Sequence, residues 1–198
     1  MPATRPGSVA IQTIGGPTAI LEVGGLRIIV DPTFDPLGRY ARPDAPELVK
    51  TAGPAIPVDA AGALDVALVS HDHHPDNLDH EGRRLLDAIP RVFTTTAGAE
   101  RVGGCAQGLA PYESADLGLP AGGTLRITAV PAQHGPDGTD HITGPVLGFY
   151  LTGEGLPTIN VSGDNASVDV VAQIVGAFAE AGLTDRLQVV APGSTAAL

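Results

Sequence analysis

The order of strands and helices predicts an α/β or α+β domain in which helices cover mixed β-sheets. Short β-branched runs separated by Gly-Gly pairs open the sequence, and strands alternate with helices in its middle. An amphipathic helix between two strands follows near the end. With 198 residues, 43% of them apolar, the chain has the length and composition of one domain, residues 1–198, with a substantial core.

Three strands are predicted near the N-terminus, at 9–14 (VAIQTI), 19–23 (AILEV) and 26–30 (LRIIV). Gly-Gly pairs follow the first two, which is typical of tight turns. Residues 31–62 are rich in proline and are predicted to be irregular, as is typical of a functional loop. The run DVALV (65–69) predicts a strand that is buried on both faces.

The remaining sequence alternates between helical and extended patterns. Leucines at helical spacing predict a helix over 77–89, and Ser167 and Gly182 are suitable caps for the amphipathic helix between them. A short helix is predicted at 97–102. The predicted strands are 91–96, 125–134, 145–153, 157–165 and 187–192.

Charge and composition restrict the partners and the compartment. The net charge is −11, which argues against a broad nucleic-acid-binding surface and against an anionic membrane surface. The N-terminus lacks the apolar region of a signal peptide, and no run approaches the ~18 apolar residues of a membrane span. The one cysteine, Cys105, precludes an internal disulfide. We expect a cytoplasmic protein that acts on a small-molecule substrate.

The stretch SHDHHPDNLDH (70–80) contains four of the six histidines and directly follows the buried strand. In an extended segment His71 and His73 point to the same side, which favours them as a ligand pair. His71 and His74 would converge instead if the chain turns at Asp72. Either His73 or His74 is therefore the second ligand of the predicted site.

Two further polar residues also follow predicted strands. His134 ends the strand at 125–134, and Asp164 lies between a strand and a helix. Because a sheet aligns its strand ends at one edge, these side chains can converge with the histidines of 70–80. Imidazoles and carboxylates are the ligands of divalent metals of the zinc type. The sequence therefore predicts a metal site.

These residues resemble the metallo-β-lactamase superfamily, whose motif H-x-H-x-D-H follows a buried strand and is completed by a distant histidine and a bridging aspartate. The opening TIGGPTAILEVGGLRIIVDP is similar to the first strands of that superfamily. Within it, the chain looks most like the L-ascorbate-6-phosphate lactonases and related metal-dependent hydrolases. The resemblance covers about residues 9–192 and implies an αββα sandwich of mixed sheets.

The resemblance also implies the roles of individual residues. The implied metal ligands combine the motif with the two later residues: His71, His73 or His74, Asp76, His134 and Asp164. The implied substrate contacts are Asp31, Asn77 and His141. The implied cofactor is Zn²⁺, one or two ions, with Mn²⁺ or Fe²⁺ as alternatives.

The sequence departs from the superfamily pattern in two places. The motif carries one extra residue, and its last histidine is replaced by Asn77. No histidine follows His141, where the superfamily has a final ligand. These departures imply either a protein with one metal ion or a truncated fold that lacks its C-terminal elements.

The reaction implied is hydrolysis of an ester, lactone or phosphoester by a metal-activated water. Asp76 would orient that water or take its proton. The alternative is a non-catalytic metal-binding homologue with an incomplete second metal site.

Overall fold

A computed structural model of the chain describes residues 9–42, 46–135 and 144–165, together with the backbone of 195–197. Its helices are α1 (His80–Leu86) and α2 (Thr96–Val102), with a 3₁₀ turn at Val58–Ala61. Its strands are, in chain order, β1 (Val9–Gly15), β2 (Thr18–Val23), β3 (Leu26–Val30), β4 (Gly38–Tyr40), β5 (Leu48–Lys50), β6 (Val66–Leu68), β7 (Val92–Thr95), β8 (Ala106–Leu109), β9 (Ser114–Gly118), β10 (Thr124–Ala132), β11 (Val146–Gly153), β12 (Ile159–Val161) and β13 (Thr195–Ala197).

Two sheets carry the fold. The large mixed sheet has the order β13-β1-β2-β3-β6-β7-β8, and the small sheet has the order β12-β11-β10-β9. Strands β1 to β3 form an antiparallel meander, whereas β3, β6, β7 and β8 run parallel to one another. The small sheet is antiparallel throughout. A separate hairpin pairs β4 with β5.

One hydrophobic core fills the space between the two sheets. Alternate residues of the large sheet, among them Ile28 and Leu68, pack there with Ile127 and Phe149 of the small sheet. A second core lies on the other face of the large sheet, where Ile29 and the side chains of α1 meet. The residues of β6 contribute to both cores, which confirms the prediction of a strand buried on both faces.

The structure confirms most predicted elements and corrects others. The prediction of irregular chain over 31–62 was wrong in part, because the hairpin β4–β5 and the 3₁₀ turn lie there. The helix predicted over 77–89 is shorter, since it begins at His80. The predicted helix 167–182 and strand 187–192 lie outside the described residues, and among the described helices none is long and apolar enough to cross a membrane.

Helix α1 is joined to the chain that follows β3. The carboxylate of Asp79 caps the helix by accepting from the Gly82 N–H at 2.8 Å and also accepts from the Asp35 N–H at 2.7 Å. In return the Asp35 carboxylate accepts from the Glu81 N–H at 3.0 Å. These reciprocal bonds explain why the helix begins after Asp79, since the first helical N–H groups have no partner within the helix.

The loop between β6 and α1 is tied to both helices through Asp72, whose side chain is 1% exposed. Arg101 of α2 donates two hydrogen bonds to its carboxylate, at 2.6 and 2.9 Å. Arg83 of α1 donates to its backbone carbonyl at 2.9 Å and to its carboxylate at 3.3 Å. The two guanidinium groups compensate for the burial of this charge.

We expect Gly82→Ala to lower the free energy of unfolding by about 2 kcal/mol, because a Cβ at residue 82 would overlap the backbone carbonyl of Pro32. The clash outweighs the gain of about 1 kcal/mol that alanine normally brings to a helix. Gly118→Ala is the control, because a Cβ there meets open space, and it should stay within about 0.5 kcal/mol of the parent. Equal urea midpoints for the two variants would contradict the close packing of α1.

We expect Asp72→Ala to lower the free energy of unfolding by about 1–3 kcal/mol, because it leaves two guanidinium groups without their buried partner. The range is reduced from that of a fully buried pair because both arginines are 41% exposed. Asp116→Ala is the control, since Asp116 forms a similar two-bond pair with Arg126 at an exposed site. Urea denaturation should show no measurable change in that control. An equal loss of unfolding free energy in both variants would refute the stabilising role of the buried Asp72 carboxylate.

Candidate metal centre

Three histidines and one aspartate meet where strands of both sheets end. His71 lies three residues after β6 of the large sheet, and His74 lies in the loop that follows. His134 follows β10 of the small sheet, and Asp164 follows β12. The structure therefore brings together side chains that follow strands of two different sheets.

The ring nitrogens of the three histidines converge within 4.8 Å of one another. Nδ1 of His74 is 3.2 Å from Nε2 of His71 and 3.2 Å from Nε2 of His134. The Asp164 Oδ2 borders this group, at 3.9 Å from Nε2 of His71 and 3.7 Å from Nε2 of His134. Among the described residues this is the group of side chains that could hold a metal ion.

His71 is fully buried and is oriented from behind. Its Nδ1 is 3.1 Å from the Ser70 hydroxyl, which leaves Nε2 directed into the cluster. Burial lowers the pKa of His71 to about 4, and it lowers the pKa of His74 as well. The imidazoles of His71 and His74 are therefore neutral near pH 7, which is the state that binds a metal.

A turn in the loop selects His74 rather than His73. The carbonyl of His74 accepts from the N–H groups of Asn77 and Leu78, both at 3.0 Å, so the chain is not extended across the motif. His73 lies outside the cluster, with Nδ1 3.9 Å from the buried Asp72 carboxylate. Of the two alternatives that the sequence left open, the structure places His74 beside His71.

Asp164 is held by Asn77, the residue that replaces the last histidine of the motif. The Asn77 side chain is buried and donates from Nδ2 to Oδ1 of Asp164 at 3.1 Å. Gly163 permits this approach, because it has φ +62° and a Cβ there would lie 3.0 Å from Cβ of Ser70. Asn77 therefore orients an acidic residue of the cluster.

The other predicted site residues fall into three groups. Asp76 is exposed and stands outside the converging histidines, although its charge acts on His71 and His74. Asp31 was predicted to contact substrate, but its side chain is 1% exposed and its Oδ1 accepts from the Ser70 N–H at 2.6 Å. His141 lies outside the described residues.

Asp31 is buried because it supports the loop from beneath. Its burial raises its pKa to about 7, against the lowering effect of its hydrogen bonds with Ser70, and the charge of Asp164 raises it further. Its backbone has φ +39°, which is rare for a residue other than glycine. Because Asp31 is buried behind the histidines, its side chain supports the loop and does not face a substrate.

Sequence reasoning missed three residues that shape the site: Ser70, Arg83 and Arg101. Ser70 directly precedes the first histidine, and this position was a signal that its hydroxyl could contact the site. The two arginines lie on different helices and had no local signal, because their partner Asp72 is distant in sequence.

The spacing of the histidines fits a metal ion. In a tetrahedral site with zinc–nitrogen bonds of about 2.0–2.1 Å, ligand nitrogens lie about 3.3–3.4 Å apart. Two of the three separations between these nitrogens are 3.2 Å, close to that value, and all three are within 4.8 Å. Three imidazoles with a carboxylate at their border are also a donor set that divalent transition metals accept.

The sequence matches no protein-family model and no curated protein. Solved structures do resemble it. An isothiocyanate hydrolase from gut bacteria of Delia radicum is 16% identical with a TM-score of 0.68, and the match covers 94% of this chain and 98% of that one. A protein from Veillonella parvula, described as a possible metal-dependent hydrolase, is 16% identical with a TM-score of 0.65, over 86% and 68% of the two chains.

The same fold occurs in a protein with a different reaction. CmlA, a diiron β-hydroxylase from Streptomyces venezuelae, is 14% identical with a TM-score of 0.55, over 88% of this chain and 33% of that one. At these identities the likeness shows the fold alone, and function must be argued from the site. The chain shares the fold of these proteins, and its mixed seven-stranded sheet packed against a second sheet confirms the α+β class that its sequence predicts.

Proposed function

We propose that the chain is a metal-dependent hydrolase that cleaves an ester, lactone or phosphoester. The observation that carries this proposal is the convergence of His71, His74 and His134 beside Asp164. The hydrolases that share the fold support the reaction class. The likeness to L-ascorbate-6-phosphate lactonases seen in the sequence supports ring-opening of a lactone as one form of this chemistry.

The metal that suits the site best is zinc, with Mn²⁺ or Fe²⁺ as alternatives. Three imidazole nitrogens match the preference of zinc for nitrogen ligands. Asp164 would complete the ligand set, because its carboxylate already lies within 4 Å of two of the three nitrogens. A bound cation of this kind would lower the pKa of a water molecule in the site to near neutrality and would polarise the substrate carbonyl.

The chain's own residues would hold the ligands and move the proton. The Ser70 hydroxyl fixes the orientation of His71, and Asn77 fixes that of Asp164. Asp76 is exposed on the same loop and its charge acts on His71 and His74, and in this proposal it would accept the proton of the attacking water. The water oxygen then bonds to the carbonyl carbon, the bond to the leaving oxygen breaks, and the leaving oxygen receives the proton from Asp76.

A non-catalytic metal-binding protein is the second candidate. It is favoured by Asn77, which occupies a ligand position of the motif yet donates its amide hydrogen to Asp164. The hydrolase remains our proposal because one metal ion is sufficient to activate a water. Turnover of a simple ester by the metal-loaded protein separates the two.

The metal content of single variants tests the ligand assignment. We expect about one zinc per chain in the wild type, as in other three-histidine sites, and loss of that zinc in His71→Ala and His74→Ala. His73→Ala is the matched control from the same loop and should keep its metal, because His73 lies outside the cluster. Elemental analysis checks this, and loss of metal in His73→Ala with retention in His74→Ala would reverse the assignment.

A second experiment tests the role of Asp76. Asp76→Asn should keep its metal but lower kcat for p-nitrophenyl acetate about 100-fold, which is typical of losing a general base. Steady-state kinetics and elemental analysis on the same preparation give both readouts. An unchanged kcat would remove Asp76 from the mechanism, and loss of the metal would make Asp76 a ligand instead.

A further inference from the structure

A cavity of about 370 Å³ opens beside the candidate metal centre. One wall is the turn between β1 and β2, and the other is the segment 48–55, which begins with β5. The Ala55 N–H donates to the Ile14 carbonyl at 2.8 Å and holds the segment against β1. The volume lies in the range of small-molecule pockets.

The lining of this cavity is mostly apolar. Lys50 and Asp76 are the charged residues among the described residues that line it. The Lys50 ammonium is paired with Oδ2 of Asp79 at 3.2 Å, so its charge is already compensated. The remaining charge is the Asp76 carboxylate, which would repel an anion. The cavity therefore favours an uncharged ligand.

Exposed apolar side chains stand at the edge of the cavity. Val49 lines it and is 49% exposed. Leu37 is 68% exposed, and its backbone lies 4.0 Å from where a Cβ of the lining residue Gly53 would be. In the described part of the chain four large hydrophobic side chains are exposed, and two of them are here. Such clustering is typical of a binding surface.

The cavity is continuous with the catalytic loop. Pro75 and Asp76 line it, and they directly follow His74. A ligand in the cavity would therefore lie next to Asp76, the proposed proton acceptor. A smaller cavity of about 220 Å³ lies on the other side of Pro75 and is lined by Arg42, His73 and Arg83. That second space is where an anionic substrate would bind instead.

We propose that the larger cavity binds the apolar, uncharged body of the substrate, so that the enzyme acts on neutral carboxylic esters or lactones rather than on phosphoesters. This inference rests on the proposed hydrolase function and narrows its substrate class. The scissile carbonyl would lie toward the histidines, with the alkyl or aryl part between the β1–β2 turn and the segment 48–55.

Paired chromogenic substrates test the substrate class. We expect p-nitrophenyl butyrate to be cleaved with a higher kcat/KM than bis(p-nitrophenyl) phosphate, which has the same leaving group and a negative charge. We expect kcat/KM to rise about 5- to 15-fold from the acetate to the butyrate ester, since each buried methylene contributes up to about 4-fold. Faster cleavage of the phosphodiester, or no gain from chain length, would overturn the inference.

A variant that fills the larger cavity tests whether the substrate binds there. Ala52 lines the cavity, and Ala52→Phe should raise KM for the butyrate ester about 5-fold or more, because it removes volume for the acyl chain. Ala121→Phe is the control, because Ala121 lies in an exposed turn between β9 and β10. Metal content should be unchanged in both variants. Equal KM values for the two variants would place the substrate elsewhere.

A binding experiment without metal separates this inference from the hydrolase proposal. In chelator-treated protein, N-hexylacetamide should bind at least about 5-fold more tightly than hexyl phosphate by NMR titration, because the cavity has one uncompensated negative charge. Ala52→Phe should weaken the amide and Ala121→Phe should not. If no ester is cleaved and no metal binds, the hydrolase proposal fails. The titration still shows whether the cavity binds an uncharged ligand. Tighter binding of hexyl phosphate, or indifference to Ala52→Phe, would refute the cavity assignment.

Discussion

The buried residue Ser70 is the junction on which the site depends. Its N–H donates to the Asp31 carboxylate at 2.6 Å, and its carbonyl accepts from the Leu147 N–H of the small sheet at 3.0 Å. Its hydroxyl lies 3.1 Å from Nδ1 of His71. A buried backbone group without a partner costs about 1–3 kcal/mol, so these bonds leave the strand end few alternative positions. The two sheets and the first histidine are thereby fixed relative to one another.

The contacts of Asn77 explain why an amide can stand where the motif has its last histidine. Asn77 donates from one amide group to the Asp164 carboxylate at 3.1 Å and to the Ser70 hydroxyl at 3.4 Å. A metal ligand must offer a lone pair, whereas these contacts use the hydrogens of the amide. The residue therefore supports the first metal position through Asp164 and Ser70, and the second position of the superfamily loses a donor. Under the proposed function, one metal ion held by the three histidines and Asp164 is the arrangement that these contacts favour.

Much of the fold could be predicted from local patterns, because β-branched runs and Gly-Gly turns specify strands such as β1 to β3 through nearest-neighbour chemistry. The hairpin β4–β5 was missed because its three-residue strands are too short to show a periodic pattern. The site was predictable to the level of which strand ends contribute to it. The choice between His73 and His74 could not be predicted, since it depends on how the chain bends at residues 72–74, where arginines from two helices bind Asp72.

The distribution of charge connects the metal, the acidic chain and the proposed substrate. Two cations near the loop are engaged, Arg101 with Asp72 and Lys50 with Asp79, and the charge of Arg42 acts on His74. The Asp76 and Asp164 carboxylates beside the histidines outnumber this one cation, so the region favours the binding of a divalent cation. In a chain of net charge −11, an anionic substrate would then meet no compensating excess of positive charge at the cavity. A neutral substrate avoids this repulsion. Its affinity would come from contact with the apolar walls of the larger cavity, which does not depend on charge.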